Sequence, residues 1–136
     1  MTPTFLMSYP RRDWGLRGRL NFLSAVGGPA PSPRGAMRDW LTVACAVEDA
    51  GGRVVVMPPS EETNLTGLPY TAEAGEFYRD RAGRPCFLVS KMAAAHRTGE
   101  PAHTAAFVEG LGWHVNRPRS VWEAQGIGPV PDREGG

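Results

Sequence analysis

The sequence predicts an α/β protein built from about two β-β-α-β modules. Two observations carry that prediction. A helical apolar pattern at 37–47 runs into a β-branched strand, Arg53–Met57 (RVVVM), and the same order then returns: Glu48 opens EDAGGRVVVMP and Glu109 opens EGLGWHVNRP. Each copy is a helix end, a glycine cap, a strand and a proline, which is how a repeated unit reads in a sequence.

The elements follow in chain order. Thr4–Ser8 is short and apolar, reads as a buried strand, and is ended by Pro10. Leu20–Val26 fits a strand or a turn, and GGPAPSPR at 27–34 is a loop. Met37, Trp40, Leu41, Ala44, Cys45 and Val47 recur at helical spacing and mark one apolar face. Ser32 and Pro33 supply the start of that helix, and Gly51 with Gly52 its stop. Arg53–Met57 is the expected central strand, halted by Pro58 and Pro59.

A polar loop at 60–67 leads to a second strand region, Leu68–Tyr78. DRAGRP at 80–85 is a hairpin turn into the apolar strand Cys86–Lys91. Residues 93–99 form a loop, Glu100–Leu111 a helix ended by Gly112, Trp113–Asn116 a strand, and Val121–Glu123 a further short one. The domain is expected to occupy 1–128, with 129–136 as a flexible tail.

Composition narrows the function classes. The 136 residues amount to one ordinary domain, and 17 Gly with 13 Pro make it loop-rich, with a modest core. Fifteen basic against 14 acidic residues leave a net charge of +1, which argues against a nucleic-acid partner, since that needs clustered excess base. Every basic residue except Lys91 is arginine, and Arg11, Arg12, Arg17 and Arg19 form a local stretch read as a solvated edge. No run approaches the roughly 20 apolar residues of a membrane span. Residues 1–10 lack the pattern of a secretory signal, so a cytoplasmic location without a membrane partner is expected.

Cys45 and Cys86 make neither a disulfide framework nor a thiolate metal cluster. Both lie in apolar segments and read as buried inert thiols, with a single bridge between them left open. His96, His103 and His114 are too scattered for a metal site, and no phosphate-binding glycine motif occurs. No cofactor and no metal are expected.

Several segments resemble one enzyme family. FLMSYPRRDWGLRGRLNF (5–22) looks like the opening strand, proline and Asn-containing segment of the amidinotransferase and dimethylarginine dimethylaminohydrolase group. The run ending GGRVVVMPP is similar to the next step of that pattern. LPYTAEAG (68–75) looks like its substrate loop, AAAHRTGEPAHTAAF (93–107) resembles its Arg-x-Gly-Glu segment opening a helix, and VWEAQG (121–126) resembles its Glu-Gly-x-Gly-Asp turn. The five matches keep the family's order and cover almost the whole chain.

The resemblance implies a pentein fold: β-β-α-β modules set as a five-fold α/β-propeller around a central site. Only about two modules are represented here, a partial pentein. Family members run much further, and their catalytic His and C-terminal nucleophilic Cys lie beyond the matched region. Neither Cys45 nor Cys86 stands where that nucleophile belongs. The chain is therefore similar to the N-terminal half of such an enzyme.

In that chemistry a Cys thiolate attacks a guanidinium carbon with the help of a His. Carboxylates hold the planar cation, because its several N–H donors suit a forked acceptor. The resemblance implies that Glu73 is a guanidinium-binding acid. It implies that Arg97 and Glu100 approach the substrate's carboxylate end, for which Arg is well shaped. It places Glu123 as the acid supporting a catalytic His that another chain would supply, and Asn21 and Tyr70 near the pocket.

Each residue has a plainer reading. Glu73 fits an exposed loop, Glu100 behind Thr98 fits a helix's first turn, and Asn21 and Tyr70 fit structural positions. The chain also departs from the pattern: Gly67 stands where an acid is usual, and Ala124 and Ile127 stand where the turn has Gly and Asp. Two functions are expected from this. One is the N-terminal-half subunit of a split amidinotransferase-like enzyme, paired with a C-terminal-half chain or with further copies of itself. The other is a non-catalytic, pentein-derived binding, structural or regulatory subunit that oligomerises.

Overall fold

The first and second halves of the chain build sheets of different size. In a computed structural model, which describes residues 2–15, 32–62 and 64–124, strand β1 (Thr4–Ser8) pairs in parallel with β2 (Arg53–Met57). Phe5 lies opposite Val54 and Met7 opposite Val56. Parallel neighbours need a crossover between them, and helix α1 (Pro33–Asp49) belongs to it. Ser32 caps the helix, its Oγ accepting the Gly35 N–H at 3.3 Å, with Pro33 in the first turn. Gly51 ends it at φ 82°, a left-handed conformation that favours glycine. The expectations for Leu20–Val26, Asn21, Arg17, Arg19, Ile127 and the 129–136 tail lie outside the described residues.

The second half forms a complete β-β-α-β unit. Strand β3 (Gly75–Arg79) and β4 (Pro85–Val89) make an antiparallel hairpin with Phe77 opposite Phe87. Asp80 organises the turn: one carboxylate oxygen accepts the N–H groups of Ala82 and Arg84, and the other accepts Arg84 Nε at 2.7 Å. Helix α2 (Glu100–Gly110) then returns the chain to β5 (His114–Asn116), which lies parallel to β4 with Val115 opposite Phe87. The sheet order is β3-β4-β5.

The larger core sits between this sheet and α2. Phe87, Val89, Ala105, Val108 and Val115 are buried there, with Phe107 and Trp113 packed against them. The Phe77 ring meets Phe87 at 4.6 Å and Trp113 edge-on at 4.8 Å, separations at which aromatic pairs attract. A smaller core, Met57, Leu65 and Leu68, lies under Leu6 and Phe107. Phe107 touches both cores, and the His103 ring Nε2 lies 2.8 Å from the Pro58 carbonyl, so α2 joins the halves.

Several expectations change. The apolar face of α1 is only partly covered: Met37, Trp40, Ala44 and Val47 are half-buried, Leu41 is 49% exposed, and no residue of the helix is fully buried. Two described strands are too narrow a layer to cover a 17-residue helix. Cys45 is exposed with that face, whereas Cys86 is buried as expected; both thiols are free, so no bridge joins them.

The Leu68–Tyr78 strand region shrinks to β3. Leu68 and Pro69 lie in a turn and Thr71–Glu73 form a 3-10 turn, because the proline cannot donate to a strand ladder. The 93–99 loop carries a 3-10 turn at Ala95–Arg97. Val121–Glu123 reduces to one antiparallel bridge, Lys91 with Trp122. No helix among the described residues is long and apolar enough to cross a membrane.

Candidate functional site

The second module's helix start and the loop before its sheet meet around one buried carboxylate. Glu100 opens α2 and is 2% exposed. A carboxylate taken out of water needs partners for its charge, and Glu100 has three contacts. Its Oε1 accepts the Gly67 N–H at 2.8 Å, and its Oε2 accepts Arg97 Nε at 2.9 Å and lies 2.8 Å from Arg97 Nη2. The helix N-terminus favours the same negative charge. Gly99 occupies the cap position without a side-chain bond, and the Thr98 hydroxyl donates instead to the Ala95 carbonyl. Glu100 is thus a packed ion-pair partner rather than a solvated first-turn acid.

Gly67 makes the approach possible. A Cβ there would stand 2.4 Å from Glu100 Oε1 and 2.5 Å from Arg97 Nε, closer than any side chain tolerates. From the sequence this position is a missing acid; in the fold it is a backbone donor, and a side chain there would have to push the Glu100 carboxylate and the Arg97 guanidinium aside.

Arg97 is clasped from both sides. Opposite Glu100, its Nη1 donates to Glu73 Oε2 in a short contact. The Arg97 side chain is 17% exposed and that of Glu73 44%. Burial opposes the charge on Arg97, but the hydrogen bonds to Glu100 and Glu73 outweigh it and hold the pKa above the ordinary arginine value.

Glu73 ends the 3-10 turn Thr71–Glu73, which is tied down at two points. The Thr71 hydroxyl donates to the Leu6 carbonyl at 2.9 Å, and the buried Ser90 hydroxyl donates to the Glu73 carbonyl at 2.6 Å. Ser90 Oγ also accepts the Ala124 N–H at 3.0 Å, so one hydroxyl joins the Glu73 turn to the 122–124 segment. Beside it, Glu123 Oε1 accepts the Ala93 N–H at 2.7 Å.

Tyr70 stands at the rim, 44% exposed, its ring 6.4 Å from that of Trp14. The Trp14 indole N–H donates to the Thr66 carbonyl at 2.8 Å and holds the pair over the 65–70 loop. Burial, then the Glu73 charge, raise the Tyr70 pKa against the pull of Arg97, so the phenol keeps its proton. A small pocket opens among Leu68, Tyr70, Met92, Arg97, Glu100 and Thr104.

Four of the sequence-derived residues, Tyr70, Glu73, Arg97 and Glu100, therefore come together. Glu123 is bonded to the strand-end backbone at Ala93, and Asn21 lies outside the described residues. Sequence reasoning noted Gly67 only as a departure from the family pattern and missed Ser90, Met92 and Thr104.

No protein-family model and no curated protein sequence matches the chain. Solved structures do. The product-bound N-terminal domain of ArgZ, an arginine dihydrolase from the ornithine–ammonia cycle in cyanobacteria, aligns with TM-score 0.76 at 18% identity, over 91% of this chain and 43% of that one. The same domain bound to substrate gives 0.71 at 19%, over 85% and 39%. AgrE in complex with L-arginine gives 0.73 at 21%, over 90% and 17%. The fold is a partial pentein. It spans less than half of the ArgZ domain and less than a fifth of the AgrE chain. At these identities the likeness establishes architecture, and the partial match agrees with the module count read from the sequence.

Proposed function

We propose that this chain is the N-terminal-half part of an amidinotransferase-like enzyme acting on a guanidino, arginine-like compound. Glu73, with Arg97 and Glu100 behind it and Tyr70 at its edge, forms its share of the binding surface. A second chain, carrying the remaining pentein modules, supplies the catalytic His and the nucleophilic Cys. The observation that carries this reading is the convergence of Tyr70, Arg97 and Glu100 from two separate segments on one small pocket, with Glu73 ion-paired to Arg97 beside it. The likeness to domains of arginine-acting enzymes supports it.

The chemistry divides accordingly. Carboxylate oxygens hold a planar cation through charge-assisted, forked hydrogen bonds. The partner's thiolate attacks the guanidinium carbon, and its His moves protons between nucleophile and leaving amine. Glu123 orients that His across the subunit boundary. This chain's own thiols do not serve as nucleophile: Cys86 is buried in the core of the second module, and Cys45 is on the exposed face of α1.

Reconstitution tests the reading. The chain, mixed with a separately produced C-terminal pentein half bearing His and Cys, is expected to elute as a complex and to turn over a guanidino compound. A chain that stays monomeric and silent beside every such partner overturns it. The competing reading is a non-catalytic binding or regulatory subunit, favoured by the pairing of Arg97 with two glutamates of its own chain. Glu123→Gln in the active assembly separates the two. A loss of turnover of tenfold or more supports catalysis, and unchanged turnover supports the regulatory subunit.

A further inference from the structure

The place that a third strand takes in one half of the molecule is an open groove in the other. β4 is followed by α2 and pairs in parallel with β5, and β1 precedes α1 and pairs in parallel with β2. β1 therefore stands where β4 stands. On its other side β4 has the antiparallel β3. Among the described residues no strand lies on the other side of β1.

The backbone at that edge is turned outward. The Arg53 N–H donates to the Pro3 carbonyl at 2.9 Å. In a parallel ladder this points the odd-numbered residues of β1 at β2 and turns the backbone groups of Thr4 and Leu6 away from it. The Thr71 hydroxyl takes up the Leu6 carbonyl, and no other hydrogen bond among the described residues reaches this edge. β3 is similar. The Ser90 N–H donates to the Ala74 carbonyl and the Asp80 N–H to the Arg84 carbonyl, so Gly75 and Phe77 present their backbone groups away from β4.

Between the two edges runs a groove of about 590 Å³. Phe5, Val43 and Val47 line it from the β1–α1 side, and Gly75, Phe77 and Phe87 from the β3–β4 side. Phe5, Val43 and Phe77 remain 47%, 54% and 42% exposed. Apolar walls beside unpaired strand edges fit an extended apolar segment, whose main chain bonds the edge while its side chains meet the walls. The groove extends to Tyr70 and Glu73, so it lies where a second chain must approach for its His and Cys to reach the candidate site. The match leaves more than half of the ArgZ domain uncovered, ample chain to supply a strand. The 125–136 segment suits the groove poorly, since Pro129 and Pro131 cannot donate to a ladder.

We propose that this groove is the docking site for one extended, apolar strand of the second chain, lying antiparallel to β1 in the place that β3 holds beside β4. The proposal rests on the split-enzyme reading above. Val43, Phe5 and Phe77 then leave water, and α1 gains the third strand that the layer beneath it lacks.

Hydrogen exchange tests this on the full chain, alone and mixed with the C-terminal pentein half that bears His and Cys. The Thr4 and Leu6 amides are expected to exchange freely in the chain alone and to slow about tenfold or more in the complex. Val43→Asp, on the groove wall, and Thr4→Pro, which removes an outward N–H and spares the β1–β2 ladder, are each expected to weaken the complex about tenfold or more. Leu111→Asp, comparably exposed but outside the groove, is expected to leave it within about twofold. Slow exchange of these amides in the chain alone means that one of its own segments or a second copy fills the groove, and overturns the proposal. A complex that leaves the amides unprotected, or that binds both groove variants as tightly as the parent, overturns the docking site alone. A complex that protects them and turns over no guanidino compound overturns the split-enzyme reading alone. Absence of any complex overturns both.

Discussion

In both modules a helix connects two parallel strands, yet the two reach opposite degrees of burial. In the second, α2 lies on a three-stranded sheet and buries Ala105 and Val108 against Phe87, Val89 and Val115. In the first, α1 is longer and more sharply amphipathic, yet none of its residues is buried. A helix pattern states which face is apolar; the width of the layer beneath it decides whether that face leaves water. The candidate site follows the same division. Its charged members gather at the second module, where Glu100 is buried and paired with Arg97 and the Gly67 N–H.

Mutations sharpen that contrast. Phe87→Ala removes the central ring of the large core and is expected to cost about 3–5 kcal/mol in urea denaturation, whereas Leu41→Ala on the open face of α1 should stay within about 0.5 kcal/mol. A Leu41→Ala cost approaching that of Phe87→Ala would mean that something covers α1 in solution and would erase the contrast. Next in size is Gly67→Ala. The added methyl expels Glu100 from its bond to the loop, for a loss of about 1–3 kcal/mol. Combined with Glu100→Gln it should fall short of additivity by about 0.5 kcal/mol or more in a double-mutant cycle, because both changes break one contact.

The smallest effect concerns acid. Hydrogen bonds from the Arg84 backbone and side chain hold the Asp80 carboxyl below its ordinary pKa. A depressed folded pKa gives a contribution present above the unfolded value and lost as pH falls through the folded one. Protection of the Ala82 and Arg84 amides from hydrogen exchange should therefore weaken below the ordinary carboxylate range. In Asp80→Asn that pH dependence should vanish, and a persisting one would assign it to another group.

Much of the architecture was legible because its signals are local. Ser32-Pro33 before α1, the glycines after both helices, the 80–85 turn and the apolar strand behind it are decided within a few residues of where they stand. The exposure of α1 and of Cys45 was not legible, since neither periodicity nor apolarity tells how wide a neighbouring sheet will be. The pocket was half legible. The family resemblance singled out Glu73, Arg97 and Glu100, but their mutual pairing spans 24 residues between Glu73 and Arg97. The bond from Gly67 to Glu100 spans 33. A glycine's role as a bare backbone donor to a distant carboxylate leaves no side chain in the sequence to announce it.

Phe107 belongs to both cores at once, and His103, one helical turn before it, reaches the end of β2. A helix shared in this way makes the stability of each half conditional on the other. The small Met57–Leu65–Leu68 cluster cannot open without uncovering one side of that ring, and the larger core cannot loosen without releasing its neighbour. The two modules should therefore melt as one cooperative unit rather than as independent foldons. Deuterium uptake across β2 and β4 would then rise at a single denaturant concentration.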